Sequence, residues 1–200
     1  MIIKKINYAW LIAALLVVTP SYALDFQGKF DTKDHPKAKG AWVVVKYPSD
    51  WKNIEGDRPN IVQKFSGSFG GLNYILQLQI KDADAFIENE CQSMSELDVA
   101  NSFSSPRNGL YALNVKKISY ETKPGFLYEL KGKVKRIGAE LEFQGTVMSV
   151  CKKNLLISLW CMPVRIDKDT QKIISGSLEL QKSKPVCDMY FNTLVLMDLY

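Results

Sequence analysis

The chain of 200 residues has one histidine, His35, in the run Asp31-Thr32-Lys33-Asp34-His35-Pro36. A metal reading would start from Asp31, Asp34 and His35, but a structural or catalytic metal usually draws three or four converging ligands. A polar run ahead of a proline reads instead as a solvated loop. Catalysis of the Ser-His-Asp kind would need His35 to meet a serine, and the sequence contains no G-x-S-x-G elbow. Ser66-Gly67-Ser68-Phe69-Gly70-Gly71 is rich in glycine, yet no G-K-[ST] follows it. It reads as a hairpin loop and not as a phosphate cradle.

Two carboxylate pairs invite an acid–base reading. Glu88 and Glu90 stand two apart on a predicted helix and so point away from each other. Glu140 and Glu142 share one face of a predicted strand, as the pair of a carboxylate-based hydrolase would. Lys135 and Lys133 fall opposite them in the pairing derived below, which makes a solvated ion-pair ladder the better reading.

The other concentration of functional residue types lies within Trp42–Phe65. Val43, Val44, Val45 and Tyr47 suit a strand packed on both faces. Pro48 ends it, because its missing N–H would leave a gap in the ladder. Ser49 and Asp50 favour a turn. The segment Trp51–Asn60 is then a constrained polar loop, and Ile61-Val62 reopens extended structure. Trp51, Asp57 and Arg58 are the candidate partner-binding residues, since loops on a rigid sheet carry function and Trp and Arg dominate binding hot spots. A purely structural role stands beside this: Trp51 plugs the end of the core and Arg58 pairs with Asp57.

A strand ending in Tyr47-Pro48 with Trp51 three residues on, followed by a loop and a strand ending in Phe65, resembles the start of the PsbP-like domains. That superfamily includes the PsbP proteins of photosystem II, the Ran-binding Mog proteins and the periplasmic DcrB proteins. The resemblance implies a fold and an accessory or binding role, and it transfers no functional residue.

Residues 1–23 read as a secretory signal peptide. Lys4 and Lys5 give the charged start, Ala9–Val18 the apolar run, and Ser21-Tyr22-Ala23 a cleavage site after Ala23. The apolar run is shorter than the roughly 20 residues that span a bilayer. The expectation is therefore a periplasmic or secreted protein with no membrane insertion after cleavage, its single domain covering residues 24–200. Loss of Lys4 and Lys5 lowers the formal charge of +5 by two. So mild an excess, with no basic run interleaved with aromatics, gives no reason to expect nucleic acid.

Beyond a lead-in strand near Phe26–Phe30, residues 72–81 alternate apolar and polar as a strand with period two. Residues 83–104 change period, and Ser95-Glu96-Leu97-Asp98 looks like a capping box. Residues 109–162 read as four strands, with turns marked by Pro124-Gly125, Ile137-Gly138 and Lys153-Asn154. A two-residue second turn sets Lys135 against Glu140, Lys133 against Glu142, Lys131 against Gln144 and Gly132 under Phe143. The meander is then apolar on both faces, with Phe126, Tyr128 and Leu130 on one and Met148, Val150 and Ile157 on the other. Both faces need cover. Ile173, Ile174 and Leu178 have helical spacing, and Val186, Met189, Tyr190, Leu194 and Met197 line one side of a closing helix. Thr193–Leu196 also suits a strand. The combined reading is an α+β domain. An antiparallel β-sheet of five to seven strands is flanked by helices from 83–104 and 167–197 on both faces, an α/β/α sandwich of the PsbP-like kind.

Four cysteines in an exported chain imply two disulfides. A two-residue turn at Lys153-Asn154 puts Cys151 opposite Leu156 and sends Cys161 to the other face, which excludes Cys151–Cys161. Cys91–Cys187 is excluded with it. Of the two remaining arrangements, Cys91–Cys151 with Cys161–Cys187 contains the shorter loop. It is favoured by a small margin, because closure entropy grows slowly with length.

These readings converge on an exported, non-catalytic binding or accessory protein acting on a protein partner, with no cofactor and no metal. A toxin-neutralising immunity or inhibitor protein is the first alternative. A carboxylate-based hydrolase is the second.

Overall fold

A computed structural model describes residues 24–83, 88–106, 109–136, 139–166, 173–174 and 176–197. The signal peptide read in residues 1–23 lies outside the described residues. Eleven strands and three α-helices follow in chain order among those described. The strands are β1 Gly28–Asp31, β2 Val43–Tyr47, β3 Lys52–Glu55, β4 Ile61–Phe69, β5 Leu72–Asp82, β6 Tyr111–Tyr120, β7 Lys123–Arg136, β8 Ala139–Lys152, β9 Leu155–Ile166, β10 Ile173–Ile174 and β11 Val195–Leu196. The helices are α1 Glu88–Ser93, α2 Glu96–Phe103 and α3 Ser177–Phe191.

The strands form two antiparallel sheets. An eight-stranded sheet runs β3-β4-β5-β9-β8-β7-β6, with β10 paired to β9, and a three-stranded sheet runs β1-β2-β11. Turn chemistry and alternation explain the local pairings. Gly70 and Gly71 both have positive φ, at 59° and 78°, as a two-residue hairpin turn requires. Strand β4 therefore continues through Ser66–Phe69, and the loop expected over Ser66–Gly71 shrinks to two residues. Lys135 pairs with Glu140, Lys133 with Glu142 and Gly132 with Phe143, while Cys151 pairs with Leu156. A Cβ on Gly132 would meet the Phe143 ring at 2.8 Å, so a larger residue there would have to displace the ring. The first turn of the meander falls at Glu121-Thr122, whose φ values are 45° and 68°, and not at Pro124-Gly125. Pro124 pairs with Ser119 near the start of β7, just before pairing with β8 begins at Gly125, so its missing N–H breaks no rung there.

The expectation of helical layers on both faces is corrected. Most of the described chain is antiparallel strand in two sheets, and the helices have only 6, 8 and 15 residues. The spacing of Ile173 and Ile174 resembled a helix, but both join β9 as strand β10. The closing helix stops at Phe191, with Pro185 inside it and not in its first turn, and Val195-Leu196 joins β2. One face of the large sheet, including Leu76, Leu78, Leu159 and Cys161, is thus covered by a second sheet together with one helix, through Val43, Val45, Leu196 and Tyr190. On the other face, Phe126, Tyr128, Val147 and Cys151 pack with Cys91 of α1 and Val99 of α2. The physical reason is that short apolar runs satisfy either period, and an unpaired strand edge nearby decides between them.

Candidate contact site at the Trp51–Asn60 turn

After Pro48 the chain turns through Ser49 and Asp50, with the Trp51 N–H donating to the Pro48 carbonyl at 3.0 Å. Trp51 then folds inward. Its side chain is buried, and its ring stacks on Tyr74 with centroids 5.4 Å apart. The indole lies directly over Gly67, where a Cβ would stand 2.3 Å from Cγ.

Residues 52–55, read from sequence as loop, form strand β3. It is a four-residue edge strand paired from Lys52 with Ser66 to Glu55 with Gln63. All four of its residues are exposed, including the apolar Ile54 at 46%. Burial of Trp51 just before it presses this short strand onto β4.

Gly56 closes the strand where the chain bends back. A Cβ there would stand 1.8 Å from the Ile61 carbonyl oxygen, so only glycine fits. The turn is fastened from both sides. Ile61 N–H donates to the Arg58 carbonyl at 3.1 Å, and Ile80 N–H donates to the Asn60 carbonyl at 2.9 Å. The Lys37 ammonium reaches across from the loop after β1, donating to Glu55 Oε1 at 2.9 Å and to the Gly56 carbonyl at 2.6 Å.

Asp57 and Arg58 stand exposed at the tip. Asp57 accepts from Lys64 Nζ at 2.6 Å. That hydrogen bond holds its carboxyl below the usual range, with a smaller contribution from Arg58. Glu55 is likewise lowered, first by its hydrogen bond to Lys37. The structure therefore separates the three candidate residues: Trp51 lies in the core, while Asp57 and Arg58 remain at the surface. Lys37 and Lys64, which brace the tip, were not singled out in the sequence. Lys64 sits across the hairpin from β3, and Lys37 is fixed only by tertiary packing.

The other chemical candidates resolve locally. His35 Nδ1 accepts from the Lys37 N–H at 3.2 Å, and Asp31 Oδ1 accepts from Trp42 Nε1 at 2.9 Å. Among the described residues no group of three or more His, Cys, Asp or Glu could hold a metal ion. The side chains of Glu140 and Glu142 lie outside the described residues. Glu88 accepts from Lys123 Nζ at 2.8 Å and from the Lys153 N–H at 2.9 Å. The cysteines form two disulfides, Cys91–Cys151 and Cys161–Cys187, one on each face of the large sheet. Among the described residues no helix is long and apolar enough to cross a membrane.

No protein-family model matches the chain, and no curated protein matches it in sequence. A crystal structure from Bacteroides thetaiotaomicron VPI-5482 is similar with a TM-score of 0.43 and 15% identity, over 86% of this chain and 49% of that one, too low to carry an argument. The solution structure of cyanobacterial PsbP (CyanoP) from Synechocystis sp. PCC 6803 is similar with a TM-score of 0.51 and 14% identity, over 84% of this chain and 91% of that one. The fold of this chain is PsbP-like.

Proposed function

We propose that this chain is an exported, non-catalytic accessory protein of the PsbP-like superfamily. It binds a protein partner through the exposed edge of β3 and the Asp57-Arg58 tip. The observation that carries the reading is the bracing of this tip. Polar side chains face solvent on a turn pinned by Gly56, by the Lys64 and Lys37 contacts and by buried Trp51. A pre-ordered turn loses little conformational freedom on binding, so its contacts convert efficiently into affinity. The two disulfides support export to an oxidising compartment, periplasmic or extracellular. The PsbP-like fold supports an accessory role.

The test uses residues 24–200, oxidised, as bait against extract of the exporting cell, beside Asp57→Ala and Arg58→Ala. A protein retained by the wild type and lost by both variants, at unchanged melting temperature, is the expected result. Equal recovery by all three, or unfolding of the variants with normal binding by their folded fraction, would make the tip structural and sink the proposal.

A further inference from the structure

A cleft lies next to the base of the Trp51–Asn60 turn, on the face of the large sheet that α1 and α2 cover, with Asn60 Nδ2 donating to Gln79 Oε1 at 3.4 Å. There Ser102–Ser105, at the end of α2, overhangs β5 and β9 and leaves a cleft of about 270 Å³. Its floor is set by register. Gln79 on β5 stands opposite Ser158 on antiparallel β9, and Lys81 and Trp160 lie on the same face to either side of that pair, Lys81 opposite Leu156 and Trp160 opposite Gln77. The Ser158 hydroxyl is bonded to Ser149 at 2.7 Å, and Ser149 to the Tyr128 hydroxyl at 3.2 Å. The buried hydroxyls beneath the cleft therefore satisfy one another. Phe103 stacks on Tyr128 with centroids 4.7 Å apart and forms part of the wall.

Two groups on this lining want something that the described residues do not supply. The Lys81 ammonium stands 5.6 Å from the Phe103 ring centroid and has no carboxylate partner among the described residues. Burial also disfavours its charge, lowering its pKa. The Trp160 indole N–H is buried and has no acceptor among the described residues. Among the described residues the lining thus combines aromatic surface, one cation and a spare N–H donor, and none of them is acidic.

We propose that this cleft binds a small monocarboxylate with a flat, aromatic body. The carboxylate neutralises Lys81, and the ring packs against Phe103 and Trp160. A cation at a partly buried site binds an anion more strongly than an exposed one does, because the surrounding dielectric is lower. Ligand pockets combine apolar walls with a few placed polar groups, and drug-sized ligands occupy roughly 300–1,000 Å³. At about 270 Å³ this cleft falls just below that range and takes a correspondingly small molecule. The proposal uses none of the tip's exposed groups: Asp57 and Arg58 are not among the cleft's lining residues.

The experiment titrates the oxidised 24–200 chain with benzoate, phenylacetate and indole-3-acetate, and with their uncharged amides, by calorimetry and protein NMR. At least one carboxylate is expected to bind saturably, with shifts at Trp160 and Phe103. Its amide, and the Lys81→Gln variant with the carboxylate, should each bind about tenfold more weakly or worse, the loss of one charge-assisted contact. Lys33→Gln, at a lysine outside the cleft, should bind like the wild type. Absence of saturable binding by all three carboxylates overturns the proposal. So does equal affinity for acid and amide on the wild type, a comparison that does not depend on how any variant folds.

Discussion

The indole of Trp51 occupies the space that a side chain at Gly67 would need, with its Cγ 2.3 Å from where that Cβ would stand. The two residues come from the turn before β3 and from the middle of β4, so their contact fixes how β3 is laid on the sheet. Gly67→Ala should destabilise the protein by about 1–3 kcal/mol, because the ring must move out of a packed site. Trp51→Ala leaves a cavity and should cost about 3–5 kcal/mol. The double variant should cost less than the sum of the two, since each change relieves the other. Urea unfolding followed by circular dichroism measures all three. Strict additivity would show that the two side chains do not share the space.

The two disulfides bind a helix to each face of the large sheet. Cys91–Cys151 closes 60 residues and Cys161–Cys187 closes 26. Chain entropy alone gives about 4.3 and about 3.5 kcal/mol for loops of those lengths. Replacing each pair by alanines should lower stability in that order in guanidinium titrations. A larger loss from the shorter loop would place the stabilisation in the native packing of α3 and not in the unfolded chain.

Glu88 pins the start of α1 to the β8–β9 turn. Burial raises its carboxyl, but the Lys123 ammonium and the Lys153 N–H outweigh that and hold it below its ordinary 4.5. A depressed carboxyl contributes stability above its unfolded pKa and loses it as pH falls through the folded one. Wild-type stability should therefore decline from about pH 4.5 downward, and Glu88→Gln should remove part of that slope while lowering stability at pH 7. Parallel pH profiles for the two proteins would contradict this.

Edge strand β6 is sealed by α2. Lys117 N–H donates to Glu96 Oε1 at 3.2 Å, and Ala112 N–H donates to Ser104 Oγ at 3.0 Å. Unpaired strand N–H groups are templates for pairing with another chain. Glu96→Ala with Ser104→Ala should increase self-association in sedimentation velocity experiments while leaving the monomer folded. An unchanged distribution across concentrations would mean that the irregular register between Leu113 and Lys116 protects the edge by itself.

What the sequence settled was local. The alternation of Lys131, Lys133 and Lys135 against Glu140, Glu142 and Gln144 admits one register, because a slip by one residue would turn every side chain to the wrong face. The same parity sent Cys151 and Cys161 to opposite faces, and Ser95 with Asp98 formed the capping box that their spacing announces. What tertiary structure decided was non-local. No nearby residue says that β5 pairs with β9, or that β2 leaves the large sheet to pair with β1 and β11. Ile173-Ile174 and Val195-Leu196 are too short for periodicity to separate helix from strand, so the available edges of β9 and β2 chose strand. Trp51 followed the same rule. Its type suited either a core or a contact surface, and the space above Gly67 assigned it to the core, leaving Asp57 and Arg58 outside. Side-chain pattern fixes which way a residue faces within its own strand. Only the packing of distant elements fixes what it then meets.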